Sequence, residues 1–234
     1  SVKRLDEPQS LKQNAAVWTQ ELLNENIRKA QDEIEKTKDK VSKGKMRQNY
    51  HFMAQQGWIN DPNGLIYYKN KYHFFYQYNP YDAYWGAMHW GHAISDDMLH
   101  WEYLPVALAP SEPYDNHKEG GCFSGSAIEH DGKLYLVYTG TTNYGAGFVQ
   151  SQCLAYSEDG IHFKKYENNP IIPHPPKGYD ESNFRDPKVW KHGDYFYLIC
   201  GAKKDNLASA LLYRSKDLKE WEFFNVLAES RGEF

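Results

Sequence analysis

Two Asp-Pro pairs, Asp61-Pro62 and Asp186-Pro187, are the residues of this sequence best suited to carry chemistry. The first lies in the segment WINDPNG (58–64) and the second in FRDP (184–187), and a third polar segment, CFSGS (122–126), lies between them. Because proline pushes the preceding residue into extended geometry, each aspartate is predicted to hold its carboxylate in one orientation. A carboxylate fixed in this way could face a ligand. The alternative is that these pairs only form turns, as Asp-Pro and Asn-Gly often do.

The elements that must position these residues follow from an internal repeat. A serine begins each copy, an aspartate follows two positions later, and an aromatic residue follows six positions later. The copies are Ser95–Trp101, Ser157–Phe163 and Ser215–Trp221, with starts 62 and 58 residues apart. We expect the serine and aspartate to bond backbone amides in a turn, and the aromatic residue to pack against a neighbouring sheet.

A strand-like run precedes each copy of this turn. The runs are Tyr72–Tyr78, Leu134–Tyr138 and Tyr195–Ile199, again about sixty residues apart, and a polar turn precedes each of them. Four short strands per unit, repeated radially, indicate an all-β fold of the β-propeller type. A β-sandwich with accidental similarity is the alternative. Three units are fewer than the roughly four to eight of a closed propeller, so the pattern predicts an incomplete one that continues beyond Phe234.

The first 49 residues differ in composition and are predicted to form a helical arm before a propeller domain at 50–234. Only one of the 37 aromatic residues, Trp18, lies before Tyr50. Apolar residues recur at helical spacing within a helix predicted from about residue 15 to residue 42. They are Leu23, Ile27, Ala30 and Ile34. This stripe could pack against the following domain or, alternatively, against a coiled-coil partner.

Charge and composition exclude several classes of protein. The net charge of −4 argues against a nucleic-acid surface. The sequence lacks the apolar run of a membrane helix, and its first residues lack that of a signal peptide. The three cysteines form no CxxC pair and are expected to be reduced, buried thiols in a cytoplasmic protein.

The segments WINDPNG, FSGS and FRDP, in this order, resemble the signature set of glycoside hydrolase family 32, over about residues 49–234. The resemblance implies a five-bladed β-propeller, of which about three blades are present. It also implies a retaining hydrolase that cleaves β-D-fructofuranosidic bonds of sucrose or sucrose 6-phosphate by double displacement. The charged arm before the first segment further resembles bacterial cytoplasmic members of the family rather than secreted ones.

The same resemblance assigns roles to individual residues. Asp61 is implied as the nucleophile, and Asp186 as the carboxylate that stabilises positive charge on the sugar. The positive charge of Arg185 is predicted to favour the ionised form of Asp186. Trp58 is also open to interpretation as a packing residue. The residues predicted to bind the sugar are Trp58, Ile59, Asn60, Gln77, Trp85, Phe123, Ser124 and Arg185.

The family's general acid is a glutamate in a Glu-Cys motif, and this sequence contains no such motif. Asp180 and Glu181, just before FRDP, are weak local alternatives. The missing acid also permits a sugar-binding fragment without turnover, or one half of a split enzyme. Another propeller glycosidase or an assembly protein that uses exposed strand edges are further alternatives.

The other constellations predict no cofactor and no metal. His89 and His92 are separated by an odd offset, so on a strand they would face opposite sides. Neither a GxGxxG nor a P-loop pattern occurs, so no nucleotide is implied. A small sugar is therefore the predicted partner, with neither nucleic acid nor membrane.

Overall fold

The computed structural model describes residues 20–48 and 50–231. Within them, one helix precedes three four-stranded antiparallel sheets, and each sheet is formed by strands consecutive in sequence. We call these the first (β1–β4), second (β5–β8) and third (β9–β12) sheets. Their bounds are α1 Gln20–Ser42, β1 Trp58–Tyr68, β2 Lys71–Asn79, β3 His89–Ser95, β4 Glu102–Leu108, β5 Gly121–His130, β6 Lys133–Asn143, β7 Phe148–Ser157, β8 Lys164–Lys165, β9 Phe184–His192, β10 Tyr195–Lys204, β11 Leu207–Ser215 and β12 Glu222–Arg231. The all-β prediction is confirmed.

The predicted polar turns close the first hairpin of each sheet. Lys69 and Asn70, between β1 and β2, both have positive φ, at 47° and 63°. Asp131 and Gly132, between β5 and β6, also both have positive φ, at 49° and 74°. Two central residues with positive φ give a turn whose twist matches that of the flanking strands.

The repeated Ser-x-Asp segments form the turns that the sequence predicts. In the second sheet, the Ser157 hydroxyl accepts the amide three residues on, and Asp159 Oδ1 accepts the amides two and three residues beyond itself, at 2.8–2.9 Å. The first and third sheets repeat this pattern. Phe163, which ends the second segment, lies edge-on against Phe75 of the first sheet, with ring centroids 5.8 Å apart. This contact is the predicted packing on a neighbouring sheet, whereas the ring of Trp101 in the first segment lies 5.4 Å from that of Phe74 in its own sheet.

The sheets pack face to face, with β1, β5 and β9 as their neighbouring inner strands. One apolar cluster joins the first and second sheets through Phe75, Trp90 and Tyr138. A second cluster joins the second and third sheets through Val137 and Leu198. Both faces of the second sheet are therefore covered. The starts of β1, β5 and β9 lie at one rim, where side chains of β5 hydrogen-bond to both of its neighbours.

The helix α1 packs against the first sheet through the predicted apolar stripe. Leu23, Ala30 and Ile34 are buried, and the latter two share a cluster with Val106 of β4. Gln31 Oε1 also accepts the backbone amide of Val106 at 3.1 Å. The face that a coiled-coil partner would need is thus occupied by this chain. The part of the predicted helix before Gln20 lies outside the described residues.

The three cysteines, Cys122, Cys153 and Cys200, are free and buried, as the sequence predicts. Across the described ranges, no helix combines the length and the apolarity that crossing a membrane requires.

Candidate active site

A β-bulge interrupts each inner strand near its start, and each bulge carries a predicted site residue. In β1 the register with β2 shifts between Ile59 and Pro62, which brackets Asp61. In β5 the shift brackets Ser124. In β9 the shift lies at Asp186. Because a bulge re-aims side chains and the three strands are neighbours, these residues are turned toward a common site.

A short hydrogen bond joins the first two bulges. The Ser124 hydroxyl donates to Asp61 Oδ2 at 2.6 Å. Ser124 is buried, whereas Asp61 is exposed and open to a ligand. The hydrogen bond from Ser124 therefore fixes the position of one carboxylate oxygen of Asp61.

Asp186 departs from the extended geometry that the sequence predicts for a residue before proline. Its φ is 66°, in the left-handed region that non-glycine residues rarely adopt. The prediction was wrong because the bulge in β9 overrides the local preference. Such a conformation persists only where the surrounding structure holds it, and the backbone amide of Asp186 donates to Thr139 Oγ1 at 3.2 Å.

The pKa of the Asp186 carboxyl is raised from its ordinary value. Loss of solvent around the carboxyl is the largest cause, and the negative charge of Asp61 adds to it. Arg185 acts in the predicted direction and lowers the pKa, but its Nε lies 3.9 Å from the carboxylate and does not outweigh desolvation. The effect of Asp61 also shows that the two carboxyls share one electrostatic environment.

Arg185 is held by residues that the sequence analysis did not select. Its Nη1 donates to Asn183 Oδ1 at 3.2 Å and to Gln150 Oε1 at 3.5 Å. Asn183 in turn donates to Asp180 at 2.8 Å. Partial burial raises the pKa of Asp180, but hydrogen bonds from Asn183 and Ser182 outweigh this effect, so its pKa is lowered. Asp180 is therefore poorly suited to be a general acid.

The predicted residues at the start of β1 divide between the site and the core. Trp58 Nε1 donates to Asn60 Oδ1 at 2.9 Å, which orients the exposed amide of Asn60. Ile59 packs against the apolar cluster shared by α1 and the first sheet. Ile59 therefore packs in the core at the start of β1.

Phe123 and Trp85 meet edge to face beside the bulge of β5, with ring centroids 6.0 Å apart. Trp85 is 45% exposed and offers a free aromatic surface. Gln77 is buried, and its Nε2 donates to the carbonyl of Cys122 at 2.9 Å. The donor group of Gln77 thus joins the first and second sheets.

A cleft of about 470 Å³ opens beside Asp186 and Arg185. The third sheet lines it with Lys203, Ser209 and Glu229, whereas Asp61 lies outside its lining. The cleft therefore has positively and negatively charged side chains beside Asp186.

No cluster of three or more metal-ligating side chains occurs among the residues that the structure describes. His92 pairs instead with His73, whose Nδ1 lies 3.0 Å from His92 Nε2, and it stacks on Phe75. His89 Nδ1 lies 2.9 Å from the carbonyl of Ala87.

The residues missed by sequence reasoning are Thr139, Gln150, Gln152 and Asn183, which support Phe184–Asp186. Asn183 alone carried a signal, since it lies beside the FRDP segment. The other three look like ordinary strand residues.

The fold and the site define an all-β protein with two aspartates, an arginine, amides and aromatic rings at the shared rim of its inner strands. The chain belongs to glycoside hydrolase family 32, because its residues 51–233 match the Glycosyl hydrolases family 32 N-terminal domain. It is 48% identical to a sucrose-6-phosphate hydrolase of Escherichia coli over 188 residues, which cover 78% of this chain and 38% of that protein. It is 41% identical to a sucrose-6-phosphate hydrolase of Bacillus subtilis, over 86% of this chain and 41% of that protein.

The chain is also similar to solved structures of this family. A GH32 β-fructofuranosidase of Bombyx mori superposes with a TM-score of 0.79 at 42% identity, covering 88% of this chain and 42% of that one. A sucrose-6-phosphate hydrolase from Lactobacillus gasseri gives a TM-score of 0.76 at 33% identity, covering 84% and 40%. The chain thus spans about two fifths of the length of the relatives that it matches.

Proposed function

We propose that this chain is the N-terminal part of the catalytic domain of a retaining β-fructofuranosidase that acts on sucrose or sucrose 6-phosphate. Its three sheets are then three blades of a five-bladed propeller. The family match over residues 51–233 supports this proposal, as do the relatives named sucrose-6-phosphate hydrolase. A mutant of the Bombyx mori enzyme was solved in complex with sucrose, which supports a sucrose-type substrate.

The observation that carries the proposal is the placement of Asp61 and Asp186 on bulges of the clustered inner strands, near enough for one charge to act on the other. A retaining glycosidase needs one carboxylate that attacks the anomeric carbon and a carboxylic acid that protonates the leaving group. Asp61 is the nucleophile in this proposal. Its exposure and its bond from Ser124 suit that role, because Ser124 binds only Oδ2 and leaves Oδ1 to attack.

The first step forms a bond from the Asp61 carboxylate to C2 of fructose and breaks the bond from C2 to the glycosidic oxygen. That oxygen takes a proton from the general acid and leaves as glucose or glucose 6-phosphate. In the second step, the general acid of the first step acts as a base and takes a proton from water. The water oxygen attacks C2, and the bond from C2 to Asp61 breaks. No residue of this sequence is assigned the acid–base role.

Asp186 stabilises the sugar as positive charge develops at C2. Its carboxylate, which is partly exposed and has Arg185 beside it, can accept hydrogen bonds from sugar hydroxyls that strengthen as that charge grows. Trp85 and Phe123 offer aromatic surfaces to sugar C–H groups, and the oriented amide of Asn60 can bond hydroxyls. Gln77 contributes through its remaining amide oxygen.

We also propose a cytoplasmic location for this enzyme. Three free, buried cysteines support it, because thiols stay reduced in the cytosol.

The test is turnover by the full-length protein with sucrose, sucrose 6-phosphate and raffinose, with the released sugars quantified. We expect fructose release from at least one substrate, and proton NMR of an early time point to show β-fructofuranose first, as retention requires. Fructose binding without turnover would support a sugar-binding module instead. Initial release of the α anomer would contradict the double displacement.

A further inference from the structure

A buried polar pair in the second sheet reaches the inner strand of the third. Thr139 of β6 and Gln152 of β7 face each other across the sheet, and the Thr139 hydroxyl donates to Gln152 Oε1 at 2.7 Å. The same hydroxyl accepts the backbone amide of Asp186 at 3.2 Å. Gln152 Nε2 donates to the carbonyl of Phe184 at 2.9 Å. The pair therefore hydrogen-bonds the main chain on both sides of Arg185.

This pair stands out from its surroundings. Thr139 and Gln152 are both fully buried, and two residues away on the same strands Val137 and Leu154 belong to the apolar cluster between the sheets. Burying polar side chains is unfavourable unless their hydrogen bonds are made, and apolar residues would fill the same space without that requirement. The polar pair is thus explained by the segment that it holds.

The first sheet contains a pair at the equivalent position. Gln77 of β2 faces Trp90 of β3, and these two side chains donate to the carbonyls of Cys122 and Phe123 at 2.9 and 3.0 Å. That segment leads into the bulge at Ser124. Both pairs thus bond the next inner strand where it delivers a site residue.

The repeat confirms that the positions correspond. Gln77 and Thr139 are 62 residues apart, the spacing of the first two strand runs. The third sheet has Cys200 opposite Leu211 at this place. A pair of side chains that hydrogen-bonds the next inner strand therefore occurs in the first and second sheets, and in both cases that strand carries a residue of the described site.

We propose that Thr139 and Gln152 are positioning residues that hold Asp186 in its left-handed conformation and thereby keep its carboxylate in the site. The φ of 66° at a residue before proline needs such support. The main-chain bonds from the pair fix the backbone on both sides of Arg185 without touching the sugar. The catalytic part of this inference rests on the proposed function of Asp186.

The test compares Thr139→Val, which keeps shape and loses the hydroxyl, with Thr139→Ser, which keeps the hydroxyl, in the full-length protein. Thr139→Val should lower kcat on sucrose about tenfold or more, the effect of about one lost hydrogen bond. Thr139→Ser should stay within about threefold of wild type. Thr142→Val is the control, because Thr142 is buried on the same strand and, among the described residues, does not bond Phe184–Asp186. A merely structural role would lower Tm without changing kcat well below Tm.

Wild-type kcat in Thr139→Val, or an equal loss in Thr142→Val, would overturn the proposal. Gln152→Met probes the same bonds from the other side and should also lower kcat, which covers the case in which Thr139→Val fails to fold. Amide hydrogen exchange at Asp186 provides a readout independent of activity. Strong protection in the wild type supports the positioning claim, whereas exchange at the rate of exposed loops refutes it. If the wild type has no turnover but Asp186 is protected, the proposed function fails and the positioning stands.

Discussion

Ser124 and Asp61 lie on different sheets, and the serine hydroxyl donates to one oxygen of the aspartate at 2.6 Å. Both residues occupy bulges at the starts of inner strands, which face each other across the contact of the first and second sheets. The buried serine bonds only Oδ2 of Asp61, and the aspartate as a whole remains exposed. The packing of two sheets thus fixes the orientation of the proposed nucleophile.

Replacing Ser124 with Ala should reduce kcat about 10- to 100-fold, because a hydrogen bond to a charged group contributes about 1.5–3 kcal/mol. Steady-state kinetics of the full-length protein on sucrose measure this effect. Ser151→Ala is the matched control, since Ser151 is a buried serine of β7 whose Oγ lies 3.8 Å from Cys153 Sγ. An unchanged kcat in Ser124→Ala would show that Asp61 does not depend on this bond.

Replacing Arg185 with Gln should move the acidic limb of the profile of kcat/KM against pH to higher pH. Desolvation already raises the pKa of Asp186, and Arg185 is the group that lowers it, so removing the guanidinium raises that pKa further. Because the proposed role requires the ionised carboxylate, activity is lost as pH falls through this pKa, and the loss begins earlier in the variant. Lys188→Gln, at an exposed position two residues after Asp186, is the control. A limb that stays in place would argue against Asp186 as the group that titrates.

Replacing Asp159 with Ala should lower the free energy of unfolding by about 1 kcal/mol at pH 7, because two backbone amides lose their acceptor. Partial burial raises the pKa of Asp159, but hydrogen bonds from His162 and Ile161 outweigh this effect and lower it below its ordinary value. A depressed pKa in the folded state stabilises the fold above about pH 4 and loses this effect as pH falls.

Urea unfolding at pH 7 and pH 3 measures both effects of Asp159→Ala. The difference from wild type should shrink at the lower pH. Asp194→Ala, at an exposed turn position between β9 and β10, should change neither value. A constant difference at both pH values would show that the charge of Asp159 plays no part.

The three-sheet arrangement could be predicted because its signals are local. The Ser-x-Asp turns and the positive-φ hairpins depend on short-range hydrogen bonds and backbone preferences, so a repeat of about sixty residues is visible in the sequence. The apolar stripe that includes Ala30 and Ile34 predicted the buried face of α1 for the same reason.

The details of the site depend on long-range packing and could not be predicted. Proline after Asp186 favours an extended residue, and only the pairing of β9 with β10 reveals the bulge and the left-handed φ. The raised pKa of Asp186 comes mainly from desolvation by the folded chain. Thr139 and Gln152 look like ordinary strand residues until the second and third sheets pack.

The role of Asp61 as nucleophile is tested by the activity of Asp61→Ala in the full-length protein, compared with that of Asp194→Ala at an exposed turn between β9 and β10. Initial rates with sucrose and sucrose 6-phosphate, together with urea midpoints, separate chemistry from stability. Asp61→Ala should lose turnover by on the order of 10⁴-fold or more and keep a wild-type urea midpoint, while Asp194→Ala should keep both the turnover and the midpoint of the wild type. Turnover by Asp61→Ala within about tenfold of wild type would contradict the assignment of Asp61 as nucleophile.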